Sequence, residues 1–127
     1  MKELGFLKAH RLSSKKDIEH LIAKGNSCIE FPLRFLWTCV PSEQSAVRVA
    51  ISVPKKRFAH AVDRNVLKRR IREAFRLQFS STQTIPSFEI HILIVYVDST
   101  IHDFSLLDTK LSKGLQKIYL QTKNIHV

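Results

Sequence analysis

Apolar positions change period several times along the chain, and each change marks an element. Ile18, Leu21 and Ile22 recur at helical spacing behind Ser13 and Ser14, either of which offers an N-cap. Gly25 and Asn26 stop that helix. Residues 27–40 read as extended, with Leu33, Phe35, Trp37 and Cys39 on one parity and Arg34, Leu36, Thr38 and Val40 on the other. Pro32 divides this stretch into a short strand and a longer one. The polar segment 41–45 predicts a turn. Val47, Val49, Ile51 and Val53 then alternate with Arg48, Ala50 and Ser52, as in a strand rich in β-branched residues. A basic loop over 54–60 precedes a helix over 61–79, and 80–87 is a polar connection. Residues 90–97 are almost continuously apolar, which suits a central strand covered on both faces. After a turn at 98–103, Leu107, Leu111, Leu115, Ile118 and Tyr119 stripe a last helix over 104–122. Gly114 is a mild weakness inside it.

The predicted order is α-β-β-β-α-β-α, an α+β fold in which helices pack on a small sheet as an α-β sandwich. The length of 127 residues suits one domain, 1–127, and no internal repeat or long linker divides it. Residues 1–12 form a basic arm that Phe6, Leu7 and Leu12 can pin to the body, and 123–127 form a tail.

Charge adds most to this picture. Lys and Arg number 21 against 11 Asp and Glu, a formal balance of +10, which favours a polyanionic partner. No apolar run reaches the roughly 18 residues that span a bilayer, and the N-terminus is too charged for a signal peptide. A cytoplasmic protein without a membrane partner follows by default. Cys28 and Cys39 lack metal or redox spacing and read as reduced, half-buried thiols. The six histidines are scattered, so no metal site is expected.

Between Lys55 and Arg76 stand nine cations and two carboxylates, which places +7 of the net charge in 22 residues. At about 100° per residue, Leu67, Ile71, Ala74 and Phe75 form a core-facing stripe. Asn65, Lys68, Arg69, Arg72 and Arg76 form a second arc, and Arg64, Lys68, Arg72 and Arg76 stack at i, i+4. A solvated face mixes signs, whereas like charges at this spacing cost a few tenths of a kcal/mol per pair, so the series points to an external anion. Arg grips phosphate through two parallel hydrogen bonds, and Asn65 can meet a base edge or ribose hydroxyl. The candidate RNA-binding residues are Lys55, Lys56, Arg57, Arg64, Asn65, Lys68, Arg69, Arg72 and Arg76.

The stretch VAISVPKKRFAHAVDRNVLKRRIREAFR closely resembles the signature segment of the bacterial ribonuclease P protein family. The apolar strand Val49–Val53, the pair Lys55-Lys56 and Ala61-Val62 at the helix start carry the resemblance. The spacing Arg64, Asn65, Lys68, Arg69 and Arg72 continues it, and the element order extends it over about residues 10–122. The resemblance implies a parallel strand pair joined by a left-handed crossover, where general rules favour the right-handed one. It also implies the protein subunit of an endoribonuclease in which the RNA subunit and its Mg²⁺ ions hydrolyse the phosphodiester. The protein then has no catalytic residue, and no protein oligomer is required. The basic helix docks on the catalytic RNA, and a cleft between the first helix and the sheet holds the 5′ leader of precursor tRNA.

Departures from the family pattern bear on that cleft. Val66 stands where a further Arg is common, His60 where a better N-cap is common, and Ile18 and Ile22 where aromatics are usual. Ile can pack on bases but cannot stack. Trp37 fits the place of a cleft aromatic and would supply stacking worth roughly 1–3 kcal/mol per base. Two rival functions remain open to the residues themselves. One is a ribosomal or translation-associated RNA-binding protein of related fold. The other, a self-sufficient nuclease, needs converging carboxylates or a His pair, and Asp63 and Glu73 lie about 15 Å apart along one helix.

Overall fold

A computed structural model describes residues 11–41, 46–81 and 89–125. The elements are α1 (Lys15–Lys24), β1 (Asn26–Glu30), β2 (Leu33–Val40), β3 (Ala46–Ser52), α2 (Ala61–Ser81), β4 (Glu89–Tyr96) and α3 (Phe104–Ile125). Their order is the expected one. Both long helices outrun their sequence bounds: α2 continues to Ser81, and the backbone expected as a tail from 123 stays helical to Ile125. The turn at 42–45, most of the 80–87 connection and residues 1–10 of the arm lie outside the described residues.

Capping sets two helix starts. Of the two candidate serines, Ser14 caps α1, its Oγ accepting from the Asp17 N–H at 3.3 Å. The Asp103 carboxylate accepts from the Leu106 N–H at 2.9 Å at the start of α3.

The strands form one sheet in the order β1-β2-β4-β3, antiparallel except for the β3–β4 pair. Parity sorts the two faces. Leu33, Phe35, Trp37, Val47, Val49, Ile90, Ile92, Ile94 and Tyr96 pack against Leu67, Ile71 and Phe75 of α2 and Leu107, Leu111 and Ile118 of α3. On the other face a smaller core joins Leu36 and Leu93 to Leu21 of α1 and to Leu12. Cys28 and Cys39 are half-buried free thiols whose pKa values burial pushes up.

The hand of the β3-α2-β4 crossover follows from one hydrogen bond. The Val49 carbonyl accepts from the Leu12 N–H at 2.8 Å, where Arg11 pairs with Val49, so the backbone polar groups of Val49 point away from β4. The Val49 side chain points to α2. On an upward strand of L-residues, with a side chain toward the viewer, that residue's N–H and C=O point right. β4 therefore lies to the left of β3 while α2 crosses in front, which is the rare left-handed form. The same contact lays residues 11–12 along the free edge of β3 and shields it.

Gly114 is a packing requirement rather than a weakness. A Cβ built there would lie 2.3 Å from Cε1 and Cζ of the Phe35 ring. Gly114→Ala gains about 1 kcal/mol in helix propensity and meets an overpacking cost of roughly 1–3 kcal/mol. A net loss in urea-unfolding stability is expected, and Phe35→Leu in the same chain should recover part of it. A net gain for Gly114→Ala alone would refute the close approach.

Candidate nucleic-acid interface

The basic loop is tied down at both ends. The Pro54 carbonyl accepts from the N–H groups of Arg57 at 3.1 Å and Phe58 at 3.3 Å. Phe58 is buried and meets the Tyr96 ring edge-on at 5.7 Å. Lys55 and Lys56 stay exposed on the turn between these anchors.

α2 follows at once and turns Leu67, Ile71, Ala74 and Phe75 fully inward, as the stripe predicts. Asn65, Arg69 and Arg72 are exposed and Lys68 is half-buried. Among the described residues, the side chains of Lys55, Lys56, Arg57, Lys68, Arg69 and Arg72 have no hydrogen-bond or ion-pair partner. The other cations are committed within the chain. Arg64 Nη1 donates to the carbonyls of Phe58 at 2.8 Å and Ala59 at 3.0 Å. Arg76 pairs with Glu73, whose carboxyl it holds below the usual range. Arg70 stands outside the candidate RNA-binding set, and its Nη1 donates to the His102 carbonyl at 2.7 Å.

That carbonyl belongs to a polar corner between β4 and α3. The Tyr96 hydroxyl donates to the Thr100 carbonyl at 2.6 Å and accepts from the His102 N–H at 3.1 Å. His102 Nε2 lies 2.6 Å from the Asp98 carboxylate and lowers its pKa. Arg70 thus fixes the basic helix to the end of the central strand.

The α1 face of the sheet changes the cleft assignment. Ile18 packs at the edge of the smaller core, and Ile22 is 63% exposed beside it. Trp37 is 1% exposed and lies in the main core on the opposite face. It shares parity with Phe35, which puts both on the α2–α3 face, and the helices packed there cover it. Its expected stacking role is corrected to a core role.

Sequence reasoning assigned no role to a polar row on the α1 face. Thr38, His91 and Arg48 lie side by side across β2, β4 and β3. Glu89 accepts from Arg48 Nε at 3.0 Å, and its carboxylate lies 2.7 Å from His91 Nε2. The hydrogen bond with His91, then Arg48, holds the Glu89 carboxyl below its usual range. The available signal was Arg48, a cation on the polar parity of an otherwise apolar strand.

A family model described as Ribonuclease P matches residues 6–119. This chain belongs to the ribonuclease P protein family. The ribonuclease P protein component of Porphyromonas gingivalis is 30% identical over 118 residues, 90% of this chain and 86% of that one. The component of Idiomarina loihiensis is 47% identical over 53 residues, 42% of this chain and 40% of the relative. The solved Staphylococcus aureus RNase P protein superposes with a TM-score of 0.71 at 26% identity, covering 87% of this chain and 96% of that one. The Thermotoga maritima RNase P protein, at 23% identity and a TM-score of 0.70, covers 84% and 96% and shows the same fold. As a ribonuclease P protein the chain has an RNA subunit as its partner, which decides against the ribosomal reading.

Two predictions follow from this geometry. Lys68→Ala, Arg69→Ala and Arg72→Ala should each weaken binding to the RNA subunit and leave the urea midpoint unchanged. Arg70→Ala should instead lower stability by roughly 1.5–3 kcal/mol, the worth of a hydrogen bond to a charged group. Equal behaviour of Arg70 and Arg72 in both assays would contradict the division. Glu89, with its folded pKa depressed, contributes stability above the unfolded carboxyl pKa and loses it as pH falls through the folded value. Glu89→Gln should therefore flatten the acid limb of a urea-midpoint titration as pH falls below the ordinary carboxyl pKa; an unaltered limb would contradict that.

Proposed function

We propose that the Lys55–Arg57 loop and the outer face of α2 dock on the catalytic RNA, while the α1 face of the sheet takes up the single-stranded leader of precursor tRNA. Removal of that leader by hydrolysis then leaves the mature 5′ end. The observation that carries this reading is the set of six cations, on a loop and the helix that follows it, without partners among the described residues. Self-repulsion at that density is relieved by phosphates, with counterion release as the driving force. Ile22 offers apolar packing to a base, and the loss of Trp37 from the cleft leaves that contact without stacking.

Mg²⁺ held mainly by the RNA subunit supplies the Lewis acid for the hydrolysis. Among the described residues no three His, Cys, Asp or Glu side chains come together as metal ligands. The Glu73 carboxylate is engaged by Arg76, well along α2 from Asp63. The work proposed for this chain is electrostatic and positional: its cations offset repulsion between two RNAs and hold the leader in register. The same reading assigns that work to the cytoplasm.

The test is cleavage of a precursor tRNA by the cognate RNA with and without this chain. RNA alone should cleave in high salt and high Mg²⁺, and the protein should restore cleavage at low Mg²⁺. The protein alone should not cleave at any Mg²⁺ concentration. Ile22→Ala should weaken binding of leader-bearing precursor more than of mature tRNA, whereas Trp37→Ala should lower the unfolding midpoint. Site-specific leader removal by nuclease-treated protein without RNA would overturn the proposal.

A further inference from the structure

Arg64 opens the cationic series of α2, yet it reaches back to the loop instead of standing clear of the chain. One nitrogen, Nη1, donates to two consecutive carbonyls, those of Phe58 and Ala59, at 2.8 and 3.0 Å. These carbonyls lie between the last cation of the loop and the first turn of the helix. At the other end, the Pro54 carbonyl accepts from the N–H groups of Arg57 and Phe58, and the Phe58 ring is buried against Tyr96. Lys55, Lys56 and Arg57 are thus strung between two fixed points, with no side-chain partner among the described residues.

Three adjacent cations repel one another and would favour an open, mobile loop. Charge-assisted hydrogen bonds from a guanidinium are about twice as strong as neutral ones, so two of them hold the carbonyl end against that repulsion. The guanidinium suits the task, since the two N–H bonds of Nη1 are fixed in its plane, one for each carbonyl. A loop ordered before binding avoids the roughly 0.5–1.5 kcal/mol per side chain that ordering on association costs.

We propose that Arg64 is a positioning residue, which clamps the Lys55–Arg57 loop to the first turn of α2 so that loop and helix meet phosphates as one preorganised face. The inference rests on the reading of that face as the RNA contact. It differs from the expectation that Arg64 is one more independent phosphate ligand, and the two make different predictions for salt dependence.

The wild-type chain, Arg64→Ala, the loop variant Lys55→Ala/Lys56→Ala/Arg57→Ala and their combination are titrated with the in vitro transcribed RNA subunit over a range of KCl. Each phosphate contact contributes roughly 0.7–0.9 to the slope of log K against log salt. A clamp predicts that Arg64→Ala keeps the wild-type slope and lowers K by a similar factor at every salt concentration, whereas the loop variant loses roughly 2.1–2.7 units of slope for three contacts, and that Arg64→Ala adds no further loss of K to the loop variant. Amide exchange at Arg57 and Phe58 should quicken in Arg64→Ala while β4 keeps its protection. A loss equal to a single contact, additive with the loop variant, overturns the clamp. A loop variant that binds like wild type also overturns it, since nothing is then positioned. If Arg64→Ala loosens β4, Arg64→Lys takes its place, keeping the charge without the planar guanidinium and its fixed N–H directions. Weaker binding at an unchanged slope with faster loop exchange supports the clamp, and wild-type behaviour in both overturns it. Wild-type binding that ignores salt defeats the functional reading itself, a result distinct from failure of the clamp alone.

Discussion

Burial of β4 on both faces is the constraint on which the rest of the molecule depends. Ile90, Ile92, Ile94 and Tyr96 point into the main core, while His91 and Leu93 are buried beneath the α1 side. A strand with both faces occupied cannot slip by one residue without exchanging a large apolar set for a polar row. Its register therefore fixes β2 on one side and β3 on the other, and with them the seats of α2, α3 and α1.

The basic helix uses that rigidity. Stacked like charges cost a few tenths of a kcal/mol per pair, whereas burying Leu67, Ile71 and Phe75 stabilises by roughly 1.5–3 kcal/mol each. Packing outweighs the repulsion several-fold, so the helix can carry unpaired cations on its outer side without unwinding. The structure then divides the cations by task. Arg70 holds the helix to the β4–α3 corner, Arg76 balances Glu73, and Arg64 reaches the loop, while Lys68, Arg69 and Arg72 face outward. A row that looks uniform in sequence is mixed in function because only some members have a carbonyl or carboxylate within reach.

The α1 side is built differently. Its apolar core is small, with Leu12, Leu21, Leu36 and Leu93, and next to it lies the row Thr38, His91 and Arg48 closed by Glu89. A half-buried carboxylate shared between a guanidinium and an imidazole is a satisfied network, which lets a polar strip sit on a sheet without a desolvation penalty left unmet. The strip gives this face a chemical character that the main core lacks.

Period and punctuation alone determined the element order, the central strand and the stripe of α2, because local spacing of apolar residues dictates which side of each element must leave water. Clustered charge and the Arg64-to-Arg72 spacing pointed to RNA and to the family. Depth in the fold was beyond them. Trp37 and Ile22 are both apolar residues on predicted elements, and only the assembled layers bury one at 1% and leave the other at 63% exposure. Gly114 is a weak helix residue by propensity, and only the Phe35 ring packed against it makes it a requirement. The partners of Arg64, Arg70 and Glu89 are likewise a tertiary matter: a hydrogen bond depends on where two backbones pass each other, and sequence spacing within one element carries no record of that approach.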